Sequence, residues 1–382
     1  MSIREALTRH NIPPSFVIAR QEGAIVTEDR PLTPETELQV VRPLDIRHFI
    51  EYETETERTD DPVYVDRRLT FDYDVDTIRM QRRELNAEQF VTHFETTVAD
   101  TIDYYDMLPD DGYVFALSGG KDSISLFAAM QEQAERIDAG ECLAVTLEGW
   151  GLEQENTYRY TKEITDEYGV DHVTIPKSEI ESVFNLTARF DEVKDAVVAD
   201  TDINGKTETM IFAQIQRRLL EVEAADHGYE TLCFGLNKED LLSEIVLTFT
   251  SGHLASSLPV RPAGAFEYVY PLAFLSKKET LLYVLNALSR YADQEETTPI
   301  EVGADTSHFY MKIVGDLCEK WPGIEYQLYP AYEEITRYML SEITWGNCEN
   351  CGSSIVEDGT TPHDPLCGAC QIFLEKDVIE AG

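Results

Sequence analysis

The clearest periodic stretch runs from Asn86 to Asp106, where Phe90, Phe94, Val98 and Ile102 recur every four residues with acidic and polar residues between them. Such a run makes one face of a helix apolar, so it predicts an amphipathic helix with Asn86 as N-cap. Downstream, short apolar runs alternate with longer amphipathic ones. Strands are predicted at Tyr113 to Leu117, Cys142 to Leu147, His172 to Ile175 and Thr231 to Gly235, and helices at Asp122 to Ile137, Glu153 to Tyr168 and Met210 to Ala225. This alternation predicts an α/β fold with a mostly parallel, doubly wound sheet covered on both faces.

The N-terminal stretch reads differently. Ser2 and Glu5 form a capping box for a short helix ending near His10, before Pro13 and Pro14. Strand-like Phe16 to Arg20, Ala24 to Val26 and Leu38 to Val41 follow, predicting a small α+β domain over 1–48. Residues 49–110 read as a linker, charged and Thr-rich from Glu51 to Asp61, leading into the amphipathic helix. The main α/β domain is expected over 111–345 and a C-terminal metal-binding segment over 346–382.

Composition changes the picture in one respect. The 382 residues include 31 Lys plus Arg against 72 Asp plus Glu, a formal net charge of −41. Such charge often accompanies disorder, but 19 Tyr, 16 Phe and 43% hydrophobic residues supply a core. Cations are split into 20 Arg and 11 Lys, and acidity runs through the whole chain. We read this as adaptation to a very salty cytosol, where a screening length of ~3 Å at molar salt tolerates like charges. There is no run of 18 apolar residues and no hydrophobic region at the N-terminus, so a cytoplasmic chain without membrane association is expected.

Candidate chemistry concentrates in two places. In Tyr113-Val-Phe-Ala-Leu-Ser118-Gly119-Gly120-Lys121-Asp122-Ser123 a strand breaks at two glycines and opens a helix. Glycines let the backbone approach an anion, and the free N–H groups of a first helical turn stabilise phosphate oxygens. Ser118 and Ser123 add hydroxyl donors, Lys121 a compact charge, and Asp122 a carboxylate suited to Mg²⁺. The spacing is not that of a Walker A loop. Near the C-terminus, Cys348 and Cys351 pair with Cys367 and Cys370 across 15 residues. Two Cys-x-x-Cys knuckles complete a tetrahedral thiolate cage, so Zn²⁺ is expected, with disulfides or iron as alternatives.

Ser118 to Ser123, in its strand–loop–helix setting, resembles the PP-loop of the ATP pyrophosphatase superfamily (adenine nucleotide α-hydrolase-like). The resemblance implies ATP and Mg²⁺ as ligands, with AMP transferred to a substrate oxygen and pyrophosphate released. Further stretches resemble the superfamily's tRNA 2-thiolation branch: Glu148-Gly149-Trp150, Arg217-Arg218-Leu219-Leu220, Gly235-Leu236-Asn237-Lys238-Glu239-Asp240, and Tyr270-Pro271-Leu272 with Lys278-Glu279. By this resemblance Lys121, Asp122 and Asp240 are the catalytic candidates and the main chain of Thr146 and Leu147 recognises adenine. Arg217 and Arg218 would meet phosphates of ATP or RNA. The four C-terminal cysteines resemble that branch's zinc finger, and a homodimer is implied.

The resemblance also has gaps. The branch carries a Cys-x-x-Cys just before its double arginine, but Met210 and Ala213 stand at those positions, and no thiol occupies the stretch around Thr298-Pro299. Cys142, Cys233 and Cys318 are solitary and read as buried spectators. Adenylation is therefore expected without the branch's own sulfur-handling thiols, sulfur arriving from a separate donor or carrier protein. The N-terminal domain resembles β-grasp sulfur carriers, but Val41-Arg42-Pro43-Leu44 continues where those carriers end in a free Gly-Gly, so an accessory or docking role is expected. Against tRNA binding stands the charge, since phosphate contacts weaken steeply with salt. The alternatives are a small-molecule ligase or amidotransferase-like synthetase, and a non-catalytic ATP-binding or carrier-docking protein.

Overall fold

The computed structural model describes residues 1–9, 17–27, 29–40, 52–72, 77–148, 155–199, 206–251, 258–294, 306–340, 344–357 and 365–379. The Val41–Leu44 continuation, Gly149, Trp150, Thr298, Pro299 and His363 lie outside them. The chain divides into two compact units, one of Met1–Thr56 with Leu69–Arg82 and the other of Glu57–Arg68 with Arg83–Gly382.

In the first unit, α1 (Ile3–Arg9) precedes β1 (Val17–Gln21), β2 (Ala24–Val26) and β3 (Thr36–Val40). The capping box is present: Ser2 Oγ accepts from the Glu5 amide at 3.1 Å and Glu5 Oε2 from the Ser2 amide at 2.8 Å. The strands form an antiparallel sheet in the order β2-β1-β3, and Ile3, Leu7 and Ala19 close a small core.

Part of the expected linker folds instead. Strands β4 (Tyr52–Glu57), β5 (Tyr64–Asp72) and β6 (Thr77–Leu85) form a sheet in the order β4-β6-β5. The reason is local. Tyr52-Glu-Thr-Glu-Thr-Glu57 alternates an aromatic or β-branched residue with a charged one, and both residue types favour the pleated ladder whatever the charge between them.

In the second unit, α2 (Ala87–Tyr105) buries Phe90, Phe94, Val98 and Ile102 as predicted, and Asn86 with Gln89 caps it reciprocally. There follow β7 (Tyr113–Ala116), α3 (Lys121–Glu132), α4 (Ala134–Ile137), β8 (Cys142–Leu147), α5 (Glu155–Tyr168), β9 (Asp171–Ile175), α6 (Ser178–Val183) and α7 (Phe190–Ala199). Next come α8 (Lys206–His227), β10 (Thr231–Cys233), α9 (Lys238–Ser251), β11 (Val260–Ala263), β12 (Phe266–Val269) and α10 (Lys277–Ala287). The unit ends with α11 (Thr306–Lys320), α12 (Glu325–Leu340), β13 (Thr344–Asn347), β14 (Ser354–Glu357) and α13 (Gly368–Glu375). The helix expected over 122–137 is interrupted at Gln133, which leaves the α-helical region at φ −106° and ψ 13°.

The main sheet runs β11-β12-β10-β7-β8-β9, parallel except for the antiparallel edge strand β11. Successive β7 residues feed opposite layers. Tyr113 and Phe115 join the core under α2, α3 and α10, while Val114 joins the core under α8 and α9. The expected fold class is therefore the observed one. No helix among the described residues is long and apolar enough to cross a membrane.

Candidate functional site

From β7 the sheet grows one way through β8 and β9 and the other way through β10 and β12. The order reverses beside β7, and in open α/β sheets the crevice beyond the strand ends at such a point is where ligands bind. Two loops enter it: Ser118–Gly120 after β7 and Phe234–Asn237 after β10.

The first loop has the geometry of an anion cradle. Gly119 takes φ +78°, a conformation that costs a side-chain-bearing residue but not glycine. Gly120 then caps α3 with no side-chain bond to the helix's first N–H groups. Ser118 Oγ and Ser123 Oγ lie 3.0 Å apart, and Ser123 Oγ donates to the Gly120 carbonyl at 3.0 Å, so the two hydroxyls brace the turn. Lys121 and Asp122 follow, with Lys121 Nζ 4.0 Å from Asp122 Oδ2.

The rest of the sheet holds Asp122 in place. The Thr280 hydroxyl on α10 lies 2.6 Å from Asp122 Oδ1, and the Asn237 amide donates to Oδ2 at 3.3 Å. Burial pushes the Asp122 carboxyl up, and Lys121 and Thr280 offset this only in part. Asn237 also caps α9 reciprocally with Asp240: Asn237 Oδ1 accepts from the Asp240 amide and Asp240 Oδ2 from the Asn237 amide, both at 3.2 Å. The other Asp240 oxygen meets Lys277 Nζ at 2.8 Å. Gly235 lets this loop approach, since a Cβ there would stand 3.0 Å from the Ser123 backbone.

Thus Ser118 to Ser123 and Asp240, singled out from sequence, belong to two loops joined through Asn237, Thr280 and Lys277. Sequence reasoning quoted Asn237 within the Gly235–Asp240 motif but assigned none of the three a role at these carboxylates. Their signal was the i,i+3 pairs Asn237/Asp240 and Lys277/Thr280, each at the start of a helix. Among the described residues no group of three carboxylates is preformed here. Asp122 and Asp240 are the acids these two loops contribute, and Mg²⁺ uses one or two protein carboxylates beside water and substrate phosphates. Thr146 and Leu147 end β8, next to the phosphate loop. The Thr146 hydroxyl lies 2.8 Å from both the Leu117 carbonyl and His172 Nε2. Burial lowers the pKa of His172.

The two arginines go elsewhere. Arg218 Nε donates to the Cys351 carbonyl at 2.7 Å and its Nη1 to Glu221 at 3.2 Å, so these donors hold the cysteine knuckle instead of a phosphate. Arg217 lies over the Tyr268 ring at 5.8 Å, with Tyr270 and Glu244 beside it. Sequence spacing could not reveal this, because the knuckle lies over 130 residues downstream.

The four knuckle sulfurs lie within 4.8 Å of one another, and Cys351 Sγ is 3.7 Å from Cys367 Sγ. A tetrahedron built on a metal–sulfur bond of ~2.3 Å has edges of ~3.8 Å. The cage therefore fits one ion. It is fastened to α8, where Gln214 Oε1 accepts from the Ala369 amide at 2.9 Å, and to α6, where Asn350 donates to the Phe184 carbonyl at 2.8 Å. Burial pushes the other thiols up, Cys142 to about 12 and Cys318 to about 11, which makes them poor nucleophiles.

No protein-family model matches the chain. A "Probable sulfurtransferase" of Methanocaldococcus jannaschii is 25% identical over 242 residues, 62% of this chain and 68% of that protein. The tRNA-5-methyluridine(54) 2-sulfurtransferase of Pyrococcus horikoshii is 26% identical over 309 residues, 79% of this chain and 91% of that protein. Among solved structures, the U34-tRNA thiolase of Methanococcus maripaludis with its [4Fe-4S] cluster superposes with a TM-score of 0.57 at 18% identity, covering 78% of this chain and 91% of that one. The fold thus resembles that of a tRNA thiolase, and the two relatives compared by sequence carry sulfurtransferase names.

Proposed function

We propose that the protein is an ATP-dependent tRNA-modifying enzyme that adenylates a nucleobase carbonyl and exchanges its oxygen for sulfur. The observation that carries this reading is the crevice at the sheet's reversal. There a glycine cradle, Lys121 and a carboxylate fixed from two neighbouring elements converge on one space. The sulfurtransferase relatives supply the choice of substrate class.

In this reading the loop amides and Lys121 hold the triphosphate and Lys121 stabilises charge on the departing pyrophosphate. Asp122 and Asp240 would hold Mg²⁺, which would neutralise further phosphate charge. The substrate's carbonyl oxygen attacks the α-phosphorus, and the bond to pyrophosphate breaks. Sulfide-level sulfur released by the donor (HS⁻) then adds at the activated carbon, loses its proton, and AMP leaves with the former carbonyl oxygen, so that C=S forms with no change of oxidation state. Adenylation is needed because phosphate is a far better leaving group than oxide.

In this reading sulfur comes from a separate donor or carrier. The C-terminal cage would hold Zn²⁺. Four ligands leave no open position, so its part is structural. Nucleoside mass analysis of tRNA from a strain lacking this chain tests the reading. It predicts the loss of one thiolated nucleoside; an unchanged profile counts against it.

A further inference from the structure

A cavity of about 260 Å³ lies on the side of the first α10 turn away from the phosphate loop. Lys277 and Thr280 point to the loop's carboxylates, whereas Ser276, Lys278 and Glu279 line this second space. Its other walls are β5 from Tyr64 to Arg68, His93 and Thr97 of α2, Lys238 of α9, and the α11–α12 connection. None of the phosphate-loop residues lines it.

Its inner wall holds two buried carboxylates. Glu279 and Glu325 are only 4% exposed, and Lys238 Nζ meets Glu325 Oε1 at 3.2 Å. Burial works against ionisation of Glu279, but His93, Lys238 and Ser276 bring its pKa down to about 2. His93 Nε2 lies 3.7 Å from Glu279 Oε1, and Glu279 Oε2 accepts from the Ser276 amide at 2.8 Å and from its hydroxyl at 2.6 Å. Glu279 is thus held from several sides, whereas Glu325 is met by Lys238 on Oε1. Glu325 Oε2 is buried with no hydrogen-bond partner among the described residues. Leaving such an oxygen unpaired costs about 1–3 kcal/mol or more, so a donor from outside the chain is the natural remedy.

The rim has the opposite character. Arg67, Arg68 and Lys278 line it. Arg67 meets Glu319 at 3.3 Å and Arg68 lies over Tyr326, but exposed Lys278 has no carboxylate partner among the described residues and only faces the Tyr64 ring at 5.9 Å. An unsatisfied carboxylate inside and a free ammonium outside, in a cavity of this size, ask for a small ligand of the reverse polarity.

We propose that this cavity binds a small primary amine that also carries an anionic group, a free α-amino acid being the simplest, with its ammonium at Glu325 and its anion toward Lys278. The site is independent of the nucleotide crevice and does not rest on the tRNA reading.

The test is calorimetric titration of the full-length protein with each proteinogenic L-amino acid, followed by the N-acetyl and methyl-ester derivatives of any that bind. At least one amino acid should bind, and each derivative should bind at least tenfold more weakly, because each lacks one of the two charges. Glu325→Gln should weaken binding at least tenfold. Lys278→Gln, on an exposed side chain that folding does not need, should weaken it several-fold. Four results would overturn the proposal: no binding by any probe, equal binding of the ester (a plain cation site), equal binding of the N-acetyl form (a plain anion site such as an RNA phosphate would use), or binding indifferent to Lys278→Gln.

Discussion

The Thr280 hydroxyl reaches Asp122 Oδ1 at 2.6 Å across 158 residues of sequence, so the first turn of α10 fixes the acidic residue of the phosphate loop. Replacing Thr280 by Val keeps the shape and removes the donor. It should cost about 1–3 kcal/mol, read as a lowered Tm, and weaken Mg·ATP binding in calorimetry. Wild-type affinity in Thr280→Val would show that Asp122 needs no such positioning.

Burial raises the Asp122 pKa, so the folded state holds this proton more tightly than the unfolded chain. Stability from this group falls as pH rises from the unfolded value near ~3.9 through the raised folded value. At neutral pH the buried charge is a standing cost to the ligand-free protein. Asp122→Asn should therefore raise the Tm of the ligand-free protein at pH 7 and flatten its decline with pH over that window, while abolishing ATP-dependent turnover. A lower Tm at pH 7 would contradict this.

Gly235→Ala places a methyl 3.0 Å from the Ser123 backbone, which cannot move without shifting the start of α3. The expected result is a protein that folds, as judged by circular dichroism, but whose KM for ATP rises at least tenfold. An unchanged KM would mean that the two loops do not form one site.

Arg218→Ala separates the structural role of the knuckle from a role at the nucleotide. It removes the Cys351 carbonyl's donor and the Arg218 bond to Glu221 Oε2, leaving buried Glu221 with Tyr268 on Oε1. Tm should fall and a chelator should strip the metal faster, with the ATP KM unchanged; the reverse pattern would return Arg218 to the phosphates. Metal analysis of the purified protein should find one zinc per chain.

Periodicity revealed the layers because side chains in a parallel sheet and its helices respond to burial alone. Phe90 through Ile102, and the strand before Ser118, are apolar for that reason, and strand-break-helix chemistry at Gly119-Gly120 follows from local backbone demands. What escaped was either disguised by charge or distant in sequence. The 52–57 strand hides under glutamates. Thr280, Asn237 and the true partner of Arg218 are set by which strand ends meet, and no window of sequence contains that information. Asp240 was legible as an acid in a suggestive loop, but not as half of a helix cap bonded to Lys277.

The most direct test of the nucleotide crevice is pyrophosphate release from Mg·ATP by the purified protein at high salt, with and without tRNA from a strain lacking it. We expect release that depends on that tRNA and falls at least 100-fold in Lys121→Ala, as for the loss of one preorganised charge at a reacting phosphate. Release that is absent with the unmodified tRNA, or unchanged in Lys121→Ala, would contradict the assignment.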